Sequence, residues 1–98
     1  LITLNTRLEV VGCFEVARGT VDKSPIYPRE IVTRALLTNA KSVILSHNHP
    51  SGSVNPSMAD IETTKRTKDA LAMLSINLLD HIIIGHDRTY SMADHGQI

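Results

Sequence analysis

The sequence has little of what supports disulfides, aromatic stacking or attraction by net charge. Its 98 residues include one cysteine, no tryptophan, two tyrosines and one phenylalanine. A single cysteine, Cys13, cannot form an internal disulfide, which is typical of a reducing compartment, and we expect it to be packed within a strand. The rings of Phe14, Tyr27 and Tyr90 are too few to form a stacking platform for single-stranded nucleic acid.

Charge of one sign and long apolar runs are also missing. Ten basic side chains balance ten acidic ones, so nothing attracts the chain to phosphate backbones or anionic membranes, and nucleic-acid binding is not supported. No apolar run approaches the roughly 20 residues that cross a bilayer, and no signal-peptide pattern opens the chain. We therefore expect one cytoplasmic domain over residues 1–98, with no membrane partner.

The pattern of apolar residues predicts an α/β domain with a mixed sheet and two main helices. The predicted order is strands over 1–4 and roughly 8–18 with a turn at 5–7, a loop over 19–28, a helix from Pro28, a strand over 41–47, a helix over about 57–74, and strands over 76–84 and 88–92. A proline in its first turn favours the start of the first helix. We expect Ile31, Val32, Ala35 and Leu36 to form its apolar face.

Two histidines and an aspartate form a candidate metal site. His47 and His49 lie at the end of a predicted inner strand, and because side chains alternate along a strand, both imidazoles project from one face. The loop over 50–56 then turns the chain into the second helix, whose first turn carries Asp60. A strand end and the start of the next helix are neighbours across such a loop, so Asp60 can complete a set of three ligands.

This set of donors leaves one coordination position open on a tetrahedral zinc ion. A water bound there has a pKa near 7, far below its value in bulk water, and becomes a nucleophile at neutral pH. Thiolate ligands are missing from the set, which argues against a structural cysteine-rich zinc site. The same three residues also suit non-haem Fe²⁺ in octahedral geometry, so the residues alone leave the ion open.

The spacing of these residues resembles the metal-binding signature of the JAMM metalloenzymes, also called MPN or JAB domains. One residue separates the two histidines, seven separate His49 from Ser57, and two separate Ser57 from Asp60. The wider sequence resembles the RadC family over essentially the whole chain. Full RadC-like proteins carry a further N-terminal segment, so the resemblance implies a C-terminal domain. The segments that carry it are Tyr27–Glu30, His47–Gly52, Pro56–Ser57 and Leu79–Gly85.

The resemblance implies a cytidine-deaminase-like (MPN) core and zinc-dependent hydrolysis of a peptide or isopeptide bond, with a peptide or protein as substrate. It also implies that Ser57 steadies the oxyanion and that a glutamate transfers protons. Two glutamates fit that role. Glu15 lies on the second predicted strand, and Glu30 opens the first helix, which should start at the sheet end where the histidines lie. We favour Glu30 slightly, and we discount the DNA-repair label that RadC-like proteins carry because this chain has no basic stripe.

Several of these residues also have plain structural interpretations. Ser57 and Asp60 are spaced as a helix cap, and capping leaves the carboxylate able to point at a metal. Asp80 and His81 are adjacent in a strand and face opposite sides, so we expect structural roles for them. We expect His86 and His95 to be solvated. For the whole chain, the alternative function is an inactive MPN-type binding or regulatory module.

Overall fold

The computed structural model describes residues 1–17 and 26–98, so most of the predicted loop over 19–28 lies outside the described residues. It confirms the α/β class, the mixed sheet and the two main helices. The elements are β1 (Ile2–Leu4), β2 (Val10–Cys13), α1 (Pro28–Leu37), β3 (Ser42–Asn48), α2 (Met58–Ala72), β4 (Asn77–Ile84) and β5 (Thr89–Ser91). Within the described residues, the second strand covers only Val10–Cys13 of the predicted range of roughly 8–18, and position 18 lies outside those residues.

The five strands form one sheet in the order β2-β1-β3-β4-β5. β1 is antiparallel to both β2 and β3, with Ile2 opposite Cys13 on one side and Ile44 on the other. β3 and β4 are parallel, and α2 connects them, as a parallel crossover requires. β3 is therefore the central strand, which agrees with its prediction as a buried inner strand.

Both helices contribute to the hydrophobic core on one face of the sheet. Ile31 and Ala35 of α1 and Leu71 of α2 cluster with Val43 and Leu45 of β3. Because side chains alternate along a strand, the residues that follow on the same face of β3 are His47 and then His49. The core therefore ends, at the carboxyl end of β3, in the two histidines.

The apolar face predicted for α1 is correct in part. Pro28 begins the helix with Glu30 in its first turn, and Ile31 and Ala35 are fully buried. Leu36 is 56% exposed, so its assignment to the buried face is wrong. At about 100° per residue, position 36 lies roughly 140° around the helix from position 31, which turns Leu36 to solvent.

The prediction that Cys13 is packed within a strand is also wrong. Cys13 lies in β2 as expected, but its side chain is exposed. β2 is an edge strand of the sheet, and its residues Val10 and Val11 are exposed as well. In the ranges that the structure describes, no helix is long and apolar enough to cross a membrane.

Candidate metal centre

β3 and the turn after it hold the two histidines. His47 pairs with Ile83 in the parallel ladder, which fixes the backbone direction at that point. The backbone N–H of His49 donates to the carbonyl of Ile84 at 3.1 Å, so pairing with β4 continues one residue beyond the strand. The two imidazole centroids are 4.7 Å apart, which places both rings on one side of the sheet.

A tight turn follows at Gly52 and returns the chain toward α2. The Gly52 N–H donates to the carbonyl of His49 at 2.9 Å, and its φ of +81° favours glycine. A Cβ at this position would also lie 3.1 Å from the ring of His86. The same turn brings the carbonyl of Ser53 to 2.8 Å from His49 Nδ1. The loop thus orients one imidazole from its outer side.

Ser57 and Asp60 form a reciprocal cap at the start of α2. Ser57 Oγ accepts the Asp60 N–H at 3.0 Å, and Asp60 Oδ2 accepts the Ser57 N–H at 2.8 Å. Two backbone donors that the helix leaves unpaired are satisfied in this way. The cap fixes the side chain of Asp60 so that its carboxylate faces the histidines.

The structure brings together the three residues predicted as metal ligands. Asp60 Oδ1 lies 3.4 Å from His47 Nε2, and Asp60 Oδ2 lies 3.1 Å from His49 Nε2. One ligand atom from each residue lies within 4.8 Å of the others, a group that could hold a metal ion. Two ligands about 2.05 Å from a tetrahedral ion are about 3.3 Å apart. The two contacts with Asp60, one to each of its carboxylate oxygens, are close to that separation.

The hydrogen bonding of His49 shows why a cation suits this site. A backbone carbonyl can only accept a hydrogen bond, so the contact with Ser53 requires the proton of a neutral His49 to be on Nδ1. Nε2 then presents a lone pair to a carboxylate oxygen 3.1 Å away. Two acceptors at that distance repel each other unless a cation lies between them. A proton or a metal ion would satisfy both.

The carboxylate of Asp60 favours its charged form. Partial burial by itself raises the pKa of Asp60, but the hydrogen bond from the Ser57 backbone, the charge of His47 and further hydrogen bonds with Ser57 and His49 outweigh it. The pKa of Asp60 therefore lies below its usual value. At neutral pH this side chain is therefore anionic, as a carboxylate that binds a metal must be.

The structure also places His81 beside the site, where the sequence predicted only a structural role. His81 Nε2 lies 2.7 Å from His47 Nδ1, and His81 Nδ1 lies 2.6 Å from Thr64 Oγ1 of α2. Burial, followed by the charge of His47, lowers the pKa of His81 to about 4, so this imidazole is neutral at pH 7. The sequence does not show this proximity, because it depends on the register of β3 and β4. In that register His81 lies opposite Leu45, two residues before His47 on the same face of β3.

Asp80 faces away from His81, as strand alternation predicts. Its carboxylate accepts hydrogen bonds from Ser91 Oγ at 2.5 Å, from the Ala93 N–H at 3.0 Å and from the His81 N–H at 2.7 Å. Burial alone raises the pKa of Asp80, while these bonds lower it below its usual value. Asp80 therefore anchors β5 and the turn after it to β4.

Of the residues predicted for catalysis, Ser57 lies beside a candidate ligand and the two glutamates are exposed in other parts of the chain. Ser57 is at the helix cap beside Asp60. Glu30 is exposed in the first turn of α1, and Glu15 is exposed two residues after β2. Because β2 runs in the same direction as β3 and α1 leads back to the start of β3, both glutamates lie toward the histidine end of the sheet. The metal-capable group found among the described residues contains neither glutamate.

The alternation of side chains in the segment after β2 indicates which face of the sheet Glu15 points toward. Phe14 exchanges two hydrogen bonds with Leu1, each 2.8 Å, so the backbone stays extended past the end of the strand. Phe14 and Val16 both pack against the core. The side chain between them, Glu15, therefore points toward the other face of the sheet.

The two remaining histidines are exposed, as the sequence predicted. His86 lies beside Gly52 in the turn before β5. His95 stacks on Tyr90 with ring centroids 4.0 Å apart. Neither belongs to the group of three candidate ligands.

Comparison with known proteins matches this chain to one family. The sequence model of the RadC-like JAB domain matches residues 1–97. A UPF0758 protein of Stenotrophomonas maltophilia (strain K279a) is 50% identical over 93 residues, which cover 95% of this chain and 40% of that protein. A UPF0758 protein of Janthinobacterium sp. (strain Marseille) is 46% identical over 98 residues, which cover 100% of this chain and 44% of that protein.

A third relative gives the same result. A UPF0758 protein of Stutzerimonas stutzeri (strain A1501) is 52% identical over 87 residues, covering 88% of this chain and 39% of the relative. The chain thus spans less than half the length of these curated relatives. The family match over residues 1–97 includes all three candidate ligands. The chain belongs to the family of RadC-like JAB domains.

Proposed function

We propose that this domain is a zinc-dependent hydrolase that cleaves an amide-type bond in a peptide or protein, with His47, His49 and Asp60 as the metal ligands. The observation that carries the proposal is the convergence of two imidazole nitrogens and a carboxylate, with contacts of 3.1 and 3.4 Å. Three such groups facing one another are stabilised by a cation. Membership of the JAB family supports hydrolysis as the reaction.

Zinc suits the donor set, because borderline imidazole and hard carboxylate ligands both bind it well in tetrahedral geometry. When bound, the ion would polarise a substrate carbonyl and lower the pKa of a bound water to about 7. The ligand side chains are between 10% and 23% exposed, so the site is open to solvent on one side. A substrate can therefore approach from the surface.

The residues around the ligands have separate roles in this proposal. Ser57 holds Asp60 through its backbone N–H and accepts the Asp60 N–H at its hydroxyl oxygen. Its hydroxyl proton is not needed for the cap, so Ser57 can donate it to the developing oxyanion. The loop carbonyl of Ser53 keeps His49 in the tautomer that binds a metal through Nε2.

For proton transfer we favour Glu30 over Glu15. Glu30 opens α1 at the end of the sheet that carries the histidines, whereas alternation directs Glu15 toward the opposite face. A general base must come within hydrogen-bond reach of the attacking water, and this reach is often completed only when substrate binds. We therefore propose that substrate binding brings the Glu30 carboxylate within hydrogen-bond distance of the attacking water.

Metal binding is tested by measuring zinc per chain and zinc affinity against a chelating dye. Wild type should bind about one zinc ion, and His49→Ala should lose it. Asp60→Asn is the sharper variant, because the amide oxygen can still cap α2 while the anionic ligand is lost. Glu62→Gln, exposed on the same helix, is the control and should bind as wild type does. Equal and negligible zinc in wild type and all variants would remove the proposed site.

Activity is tested by cleavage of a peptide library by zinc-loaded wild type, Glu30→Gln and Glu15→Gln. We expect Glu30→Gln to lose at least about a hundredfold in rate, in line with the usual contribution of general acid–base catalysis. Loss in Glu15→Gln alone would transfer the role to Glu15. Zinc binding with no cleavage by wild type would favour the binding or regulatory module instead.

A further inference from the structure

Two buried side chains connect the candidate ligands from behind. Thr64 of α2 and His81 of β4 are each 1% exposed, so water has almost no access to them. Thr64 Oγ1 lies 2.6 Å from the carbonyl oxygen of Asp60 and 2.6 Å from His81 Nδ1. His81 Nε2 lies 2.7 Å from His47 Nδ1. Each of these contacts needs one proton between its two atoms.

These contacts form a chain of hydrogen bonds that runs from the Asp60 carbonyl through Thr64 and His81 to His47. The position of every proton in it follows from the Asp60 carbonyl, which can only accept. The carbonyl of Asp60 has no proton to give, so the Thr64 hydroxyl must donate to it. The same hydroxyl oxygen then has only lone pairs left for His81. The contact of 2.6 Å therefore requires His81 to donate from Nδ1.

A neutral His81 that carries its proton on Nδ1 has a lone pair on Nε2. That lone pair faces His47, so His47 must donate from its own Nδ1. The Nε2 atom of His47 is then left without a proton, 3.4 Å from the carboxylate of Asp60. This is the tautomer that a metal ion requires from an imidazole bound through Nε2.

We infer that His81 and Thr64 are positioning residues that fix the metal-binding tautomer and the ring orientation of His47. The inference rests on the metal site proposed above and adds to it two residues that contact the ligand residues His47 and Asp60 but would not bind the ion themselves. One hydroxyl thereby joins both ligand-bearing elements: it bonds the first turn of α2 directly and reaches β3 through His81. If the direction of the hydrogen bond between His81 and His47 were reversed, His47 would carry its proton on Nε2 and could not bind a metal ion through that atom.

Packing explains why these hydrogen bonds run in one direction, from donor to acceptor. Met92 covers the pair, with its Sδ atom 3.7 Å from Thr64 Oγ1 and its N–H donating to the His81 carbonyl at 3.1 Å. Met92 is itself fully buried. In such surroundings a donor or acceptor without a partner is costly, because water cannot replace the missing bond. Only the arrangement in which all contacts are satisfied is favoured.

The first test measures the tautomers directly in metal-free protein by long-range ¹H–¹⁵N NMR correlations of the imidazole rings. Wild type should show the proton of His81 and that of His47 on Nδ1. Thr64→Val keeps the branched shape but removes the hydroxyl, so His81 should move at least partly to the Nε2–H form. Thr64→Ser retains the hydroxyl and should resemble wild type. A wild-type His81 protonated on Nε2 would overturn the inference.

The second test measures zinc affinity in the same variants. Loss of a residue that orients a metal ligand typically weakens binding by about 10–100-fold, and we expect a loss in that range for Thr64→Val and for His81→Phe. His81→Gln can place a carbonyl oxygen near the former Nε2 and should recover most of the affinity. Thr64→Ser should stay within about threefold of wild type, since it retains the contact.

The outcomes separate this inference from the proposed metal site. If wild type binds no zinc, the proposed function fails. The NMR measurement still shows which ring nitrogen of His47 and of His81 carries the proton. If wild type binds zinc and Thr64→Val binds it equally well with unchanged tautomers, the site stands and the positioning role fails. Circular dichroism and a urea titration identify a variant that is unfolded, and Thr64→Val, nearly isosteric with wild type, then carries the test.

Discussion

At the scale of single residues, hydrogen bonds give charged and polar side chains fixed orientations in this small domain. Asp60 accepts from a backbone N–H that also begins a helix, and Asp80 accepts from one side chain and two backbone donors. In both cases the bonds lower the pKa of the carboxyl group against the opposing effect of burial. Each carboxylate therefore stabilises the fold only while it is charged.

Asp80→Asn tests this dependence on pH away from the candidate ligands. A carboxyl group whose pKa is lowered by folding adds stability above the pKa of the unfolded chain and loses it as pH falls through the folded value. Wild type should therefore be more stable than Asp80→Asn at pH 7, and the difference should shrink below about pH 4. Urea unfolding across pH 3–7 measures it. Exposed Asp87, changed to Asn, is the control, and a constant Asp80 difference across this range would contradict the prediction.

At the scale of elements, the position of a residue around a helix or across a sheet decides its burial. Ile31 and Leu36 are both apolar residues of α1, yet one is fully buried and the other is mostly exposed. Alternation along β3 likewise carries the buried face from Val43 and Leu45 to the histidines. Local periodicity therefore indicates where the two candidate histidine ligands lie, because they continue the alternating pattern of the buried residues in β3.

A matched pair of truncations in α1 checks the packing of that helix. Ile31→Ala should lower the free energy of unfolding by about 2–5 kcal/mol, since it leaves a cavity in the core. Leu36→Ala should change it by no more than about 0.5 kcal/mol, as is usual for exposed positions. Urea denaturation of both variants gives the comparison. Equal losses would show that Leu36 packs against something in solution.

The limits of the sequence prediction also lie at this scale. The convergence of His47, His49 and Asp60 was predictable because the strand, the loop and the helix start that bring them together are contiguous in the chain. His81 was not, since its place beside His47 depends on how β4 pairs with β3, and that register shifts between Val43 and Ile44. Cys13 was misplaced for a related reason, because the sequence of a strand does not show that it will lie at the edge of the sheet.

At the scale of the whole molecule, the proposed ion would add a further link between elements that packing and the hydrogen bonds of Thr64 and His81 also hold together. Its ligands come from β3 and α2, and the chain through His81 extends the connection to β4. Binding to the folded state alone stabilises it by mass action. Metal and fold should therefore be coupled in both directions.

Thermal unfolding with and without zinc measures this coupling. With free zinc at 1,000 times its dissociation constant, the gain in stability should be about 4 kcal/mol, visible as a higher melting temperature that a chelator reverses. Asp60→Asn should show little gain, because it lacks the anionic ligand. A melting temperature that zinc raises equally in wild type and Asp60→Asn would indicate binding elsewhere.

The Asp60 oxygen that accepts the Ser57 N–H is also the one that approaches His49. An ion held by that carboxylate would restrain the first turn of α2 against fraying. The exchange of the Ser57 amide proton with deuterated solvent would then slow as the site fills. This one backbone amide would serve as an intrinsic sensor of occupancy, needing neither a substrate nor a label.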